Sequence, residues 1–127
     1  MTILANSHLS VVVPATDLSR AKEFYQGKLG LKPAREDEQG VAFESGAGTG
    51  IFIYLRPGGQ PAEHTVAGWR VSDVEAAVNE LVERGVTFEI YDMPGLKTDQ
   101  HGIARMGDMT AAWFKDSEGN ILSVNSM

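Results

Sequence analysis

The stretch VSDVEAAVNELVERG, residues 71 to 85, carries a complete set of helix punctuation. Ser72 followed three residues later by Glu75 reads as a capping box, in which each side chain satisfies an amide at the other's end. Val74, Ala77, Val78, Leu81 and Val82 then recur at the spacing of one buried helix face. Arg84 suits the negative end of the helix dipole, and Gly85 ends the helix by taking a left-handed conformation. An earlier stretch, ATDLSRAKEFYQGKLGL at 15 to 31, repeats the design. Thr16 or Asp17 caps it, Leu18, Ala21, Phe24, Tyr25 and Leu29 form the apolar side, and Gly27 and Gly30 close it.

Strand-like runs flank both helices. HLSVVVP (8–14) precedes the first and HTVAGWRV (64–71) the second. KPARED (32–37), VAFES (41–45) and IFIYL (51–55) follow the first helix. VTFEIY (86–91) and the hairpin AWFKDSEGNILSV (112–124) follow the second. β-Branched and aromatic residues dominate these runs, and Gly, Pro and Asp separate them. Gly119-Asn120 supplies the positive φ of a tight reversal between the last two strands. When Asp17 is laid over Asp73, Ala21 falls on Ala77 and Gly30 lands within one residue of Gly85. The chain therefore reads as an internal duplication with a period near 56 residues. The fold class expected is α+β: one domain built of two βαβββ modules, the first about 7–56 and the second about 64–127. The Pro- and Gly-rich segment 56–63 links them.

The 127 residues suffice for one domain with a real core. There is no cysteine, which removes disulfides, thiolate zinc sites and a cysteine nucleophile. A net charge of −6, spread along the chain, opposes nucleic-acid binding, which depends on neutralising phosphates with Lys and Arg. The first residues lack the basic start and apolar run of a secretory signal, and no stretch reaches the length of a membrane helix. A cytoplasmic location without membrane contact is expected. GAGTG (46–50) precedes a strand instead of opening a helix, so it reads as a hairpin turn and not as a phosphate loop.

The duplicated unit resembles the glyoxalase / bleomycin-resistance / extradiol-dioxygenase superfamily, also called vicinal oxygen chelate proteins. Its markers are Asp17, Leu18, Ala21, Phe24, Tyr25, Leu29 and Gly30 in the first helix, and the turn Asp116, Gly119, Asn120 near the end. The resemblance implies a curled mixed sheet around a cleft, often completed in a homodimer. It also implies, in the metal-dependent members, a divalent ion held by His, Glu or Gln from four strands, acting as a Lewis acid on adjacent substrate oxygens. Carried onto this chain, the family's ligand positions fall on Ser10, on Ala67, on Ile53 or Tyr54, and on Ser123. Ala and Ile cannot coordinate, and neutral hydroxyls are poor ligands for a transition metal. No metal cofactor is expected. The alternative is a rebuilt site using His8 with His101 and Asp99 or Asp108.

Strand alternation groups Ser10 with Val12, Ala67 with Trp69, and Ser123 with Ile121. Ser10, Tyr54, Trp69, His101 and Ser123 are accordingly the candidate ligand-binding residues, with Trp69 as a core residue the competing reading. Asp92 to Met109 is long for a connection and suits a cover over a ligand. Two functions follow. One is a metal-free protein that binds a small organic molecule, as bleomycin-resistance proteins do. The other is a lyase, isomerase or dioxygenase-like enzyme using a relocated metal or acid–base groups such as His101 and Tyr54.

Overall fold

A computed structural model describes residues 2–126. The chain forms two compact units, one ending at Gln60 and the other beginning at Pro61.

In the first unit, strand β1 (Ser10–Ala15) leads into helix α1 (Leu18–Lys22), then β2 (Lys32–Asp37), β3 (Gly40–Glu44) and β4 (Gly50–Leu55). The sheet is open, in the order β1-β4-β3-β2, with β1 parallel to β4 and the other pairs antiparallel. Asp17 caps α1 by accepting the Arg20 amide at 3.0 Å, a contact of the kind that contributes about 1 kcal/mol. Beyond Lys22 the helix widens into a π-helical segment, Glu23–Lys28, before Gly30 turns it at φ 75°. A π turn takes up one extra residue. That residue is why Gly30 and Gly85 sit one position out of register when Asp17 is laid on Asp73. Val13, Ala15, Ala21, Tyr25, Val41, Phe43, Ile51 and Ile53 make the buried core, where Tyr25 stacks on Phe43.

The second unit repeats the plan. It runs β5 (Thr65–Arg70), helix α2 (Val74–Glu83), a short ribbon of β6 (Asp92–Met93) and β7 (Leu96–Lys97), then β8 (Ile103–Met106), β9 (Met109–Lys115) and β10 (Ile121–Ser126). Its sheet order, β5-β10-β9-β8, with β5 parallel to β10, reproduces that of the first unit. The fold is α+β with two four-stranded mixed sheets. Among the described residues, no helix is long and apolar enough to cross a membrane.

Three sequence expectations change. The cap of α2 is Asp73, which accepts the Ala76 amide at 3.1 Å, and not Ser72 of the supposed capping box. A carboxylate one residue nearer the helix takes the amide, so both helices start on the same aspartate. The run 86–91 is not a sheet strand: only Phe88 bridges to Phe114. The second strand of the repeat is instead β8, inside the segment expected to be a long loop. The reason is an insertion. Asp17 and Asp73 stand 56 residues apart, whereas Gly50 and Ile121, which open the equivalent strands β4 and β10, stand 71 apart. The extra residues lie between α2 and β8. There the Thr98 amide and the Tyr91 carbonyl pair at 2.9 Å, and the Thr98 hydroxyl accepts the Tyr91 amide at 2.8 Å. The inserted segment is thus a pinned ribbon, β6 paired with β7, with its own hydrogen bonds ahead of β8.

Candidate functional site

The two faces of the first sheet differ. Val13, Ala15, Ile51, Ile53, Val41 and Phe43 turn into the core, and their alternates Val12, Phe52 and Ala42 turn away from it. Register sets these alternates side by side: Val12 pairs with Phe52, and Phe52 with Ala42. Val12 is 57% exposed, a large value for a strand valine. These three side chains floor a cavity of about 770 Å³. Its rim carries His8, Ser10, Arg35 and Glu44, together with the turn residues Ser45 and Thr49. The His8 ring lies against the Gly48 carbonyl across this rim. Tyr54 lies one strand alternation beyond Phe52 and borders a separate depression with Glu38, Gln39 and Leu55.

On the second sheet, Ala67 and Trp69 share a face as alternation groups them, but it is not the face of Ser123. Gly68 pairs with Ser123, and a Cβ added at Gly68 would stand 2.5 Å from the Ser123 hydroxyl, so these two share a face. Ala67 and Trp69 take the other face, where Trp69 stacks on the buried Phe114 with ring centroids 6.5 Å apart. The same face holds Arg105, which reaches Glu75 of α2 at 3.8 Å, so it is the helix-covered side. Trp69 and Ser123 therefore do not line one surface. The tryptophan beside Ser123 is Trp113, its direct partner across β9 and β10. Tyr91 of the inserted segment stands edge-on to Trp113 at 5.7 Å. Burial, with the Glu89 carboxylate adding to it, raises the Tyr91 phenol above its ordinary value.

His101 is exposed, and among the described residues its ring has the Gln100 amide as its one hydrogen-bond neighbour, at 3.5 Å. Its backbone amide donates to Asp99 at 2.8 Å. Asp99 also accepts the Ile103 amide and pairs with Arg105 at 3.1 Å. The Ile103 amide, foremost, holds the Asp99 carboxyl below its usual range, helped by the His101 amide and the Arg105 guanidinium. This carboxylate is committed to the turn.

The structure brings His8 and Ser10 together at the first-unit cavity. Tyr54, Trp69, His101 and Ser123 each occupy different surroundings. Arg35, Ala42, Glu44 and Phe52 were missed at the cavity, although alternation from Ser10 and Tyr54 along paired strands points to them. Trp113 was missed as well, although the turn at Asp116 to Asn120 fixes its register against Ser123. The positions at which the family would hold a metal do not fit one. Ile53 is buried in the core, Ala67 offers no donor, and Ser10 and Ser123 offer only hydroxyls. Among the described residues, no group of three or more His, Cys, Asp or Glu converges on a point.

The family model described as Glyoxalase/Bleomycin resistance protein/Dioxygenase superfamily matches residues 7–124. No curated protein sequence gives a match. Among solved structures, a glyoxalase/bleomycin resistance protein/dioxygenase from Alicyclobacillus acidocaldarius is similar with a TM-score of 0.72 and 20% identity, over 95% of this chain and 91% of that one. A member of the same superfamily from Sphaerobacter thermophilus gives 0.71 and 23%, over 95% and 97% of the two chains. TnmS3, an antibiotic binding protein from Streptomyces sp. CB03234, gives 0.68 and 23%, over 94% of each. At these identities the likeness concerns the fold.

Proposed function

The chain belongs to the glyoxalase/bleomycin resistance protein/dioxygenase superfamily, and on that premise we propose that it binds a small organic molecule without a divalent metal. The ligand lies against the open face of the first sheet. One observation carries this reading: that face presents apolar side chains, Val12, Ala42 and Phe52, beneath a cavity of about 770 Å³. That size and mixed lining suit a drug-sized ligand, whose apolar surface supplies affinity and whose polar groups supply orientation. The neighbour TnmS3, an antibiotic binding protein, supports the same class of occupant. Acid–base catalysis by His101 draws less support, because among the described residues no carboxylate orients its ring. The proposal includes a homodimer in the cytoplasm.

The test joins elemental analysis of purified protein to a thermal-shift screen of organic compounds, with bound compounds recovered and weighed by mass spectrometry. The expected result is a ligand recovered unaltered, binding unaffected by chelator, and loss of that binding in Ala42→Trp, which fills the cavity floor. Stoichiometric divalent metal together with chelator-sensitive turnover overturns the reading. A monomer mass by light scattering at all concentrations removes the homodimer.

A further inference from the structure

The cavity on the first sheet carries two opposite charges that nothing in the protein uses. Arg35 and Glu44 both line it. Arg35 pairs across the sheet with Ala42, and Glu44 follows two residues further along the same strand, so both charges rise from the face that holds the apolar floor. Neither makes a hydrogen bond or an ion pair among the described residues, with each other or with a third group. Lys32 stands directly across from Glu44 in the register and makes no ion pair with it. Some exposed charges do pair, as Lys22 does with Glu36 at 2.6 Å and Arg105 with Asp99 at 3.1 Å, but among the described residues Arg35 and Glu44 do not. Opposite charges standing unpaired at the edges of an apolar floor are complementary to a molecule with the reverse arrangement.

Resting on the small-molecule reading, we propose that this cavity selects a zwitterion with an apolar, ring-containing body. The ring lies on Phe52 and Val12, the ligand's carboxylate meets the Arg35 guanidinium, and its ammonium meets the Glu44 carboxylate. Arg offers a planar fork that matches a carboxylate in two parallel hydrogen bonds, and Glu44 accepts from an ammonium without needing a fixed geometry. The floor supplies affinity to any aromatic body of the right size. The two charges discriminate among bodies of the same size.

Four indole compounds separate these contributions, because they share one ring and differ only in charge: indole, indole-3-acetate, tryptamine and tryptophan. Binding of each to the full chain is measured by isothermal titration calorimetry. Tryptophan is expected to bind at least about tenfold more tightly than indole, the value of one modest charge-assisted contact beyond ring burial. Arg35→Gln is expected to bring tryptophan to within about twofold of tryptamine and to leave tryptamine unchanged. Glu44→Gln is expected to bring tryptophan close to indole-3-acetate and to leave indole-3-acetate unchanged. Both residues are exposed, so circular dichroism is expected to show both variants folded. Indole binding as tightly as tryptophan, tryptophan affinity unmoved by either substitution, or no binding by any of the four overturns the inference. If any of these occurs while another organic ligand binds and is lost in Ala42→Trp, only the charge selection fails. If Ala42→Trp also leaves every ligand's binding intact, the small-molecule reading of this face fails with it.

Discussion

The turn between the last two strands occurs twice in this molecule, and the two copies are built to different ends. Ser45 to Thr49 joins β3 to β4, and Asp116 to Asn120 joins β9 to β10, each at the same offset of 71 residues as the strands themselves. The outer backbone bond is the same in both: Ser45 donates to the Thr49 carbonyl at 2.9 Å, and Asp116 donates to the Asn120 carbonyl at 2.9 Å. The side chains diverge. Asp116 is 6% exposed and gathers the Glu118 amide, the Asn120 amide and the Asn120 side-chain amide, all within 2.9 Å. Its counterpart in the first unit is a glycine-rich, exposed turn whose Ala47 sits at φ 56° and whose Thr49 hydroxyl donates to the Gly46 carbonyl at 2.5 Å at the surface. One copy wires a sheet corner shut. The other forms the rim of the cavity. A duplicated scaffold here has put stability into one corner and access into the other.

The largest test of that difference is Asp116→Ala. It strips a buried acceptor from three donors, and leaving buried donors unpaired costs on the order of 3 kcal/mol in total. The equivalent region of the first turn tolerates change: a Cβ at Gly46 meets nothing within 4 Å. Gly46→Ala is therefore expected to stay within about 0.5 kcal/mol of the parent. Urea unfolding of both variants gives the comparison directly, and similar losses in the two would mean the turns are equally wired. A smaller effect of opposite sign is expected at Ala47. An L-residue in the left-handed region costs roughly 1–2 kcal/mol, partly offset by the unfolded-state entropy that glycine adds. Ala47→Gly is expected to raise stability by about 0.5–1 kcal/mol. No gain in the urea midpoint would show that the rim carries no such strain.

The same comparison shows what the sequence carried and what it did not. The repeat was legible because each helix starts on an aspartate and ends on a left-handed glycine, signals that act over a few residues. The cavity's face was half legible: alternation from Ser10 leads to Val12, but only strand pairing adds Ala42, Phe52, Arg35 and Glu44. Trp69 was misplaced against Ser123 because a spacing counted back from Asp73 does not fix parity. Parity follows from the parallel register of β5 on β10, which includes a shift between Ile121 and Leu122. Hydrophobic pattern alone also favoured 86–91 as the missing strand over 103–106, since Phe88 and Val86 are buried as a strand's would be. They are buried as an irregular segment whose Phe88 packs edge-on to Phe114 at 5.3 Å. A pattern of burial does not distinguish a paired strand from an anchored loop.

The smallest effect sharpens the comparison at the insertion, which the first unit lacks. Asp99 organises the approach to β8 through the amides of His101 and Ile103, and those bonds hold its carboxyl below the ordinary 3.8. In the unfolded chain the carboxyl returns to its ordinary value, so below about pH 4 the unfolded state binds more protons than the folded one. The stabilisation is therefore present above that pH and is lost as pH falls through the depressed folded-state value. Its size is limited, because the side chain is 37% exposed and solvent screens its pairing with Arg105. Asp99→Asn cannot titrate, so its stability is expected to change less than that of the parent between pH 5 and pH 3. Amide exchange at Ile103 reports the turn itself and is expected to show the same difference locally. Parallel stability curves for the two proteins would mean that the inserted segment is held by Tyr91, Thr98 and Trp113 alone, with the carboxylate a bystander.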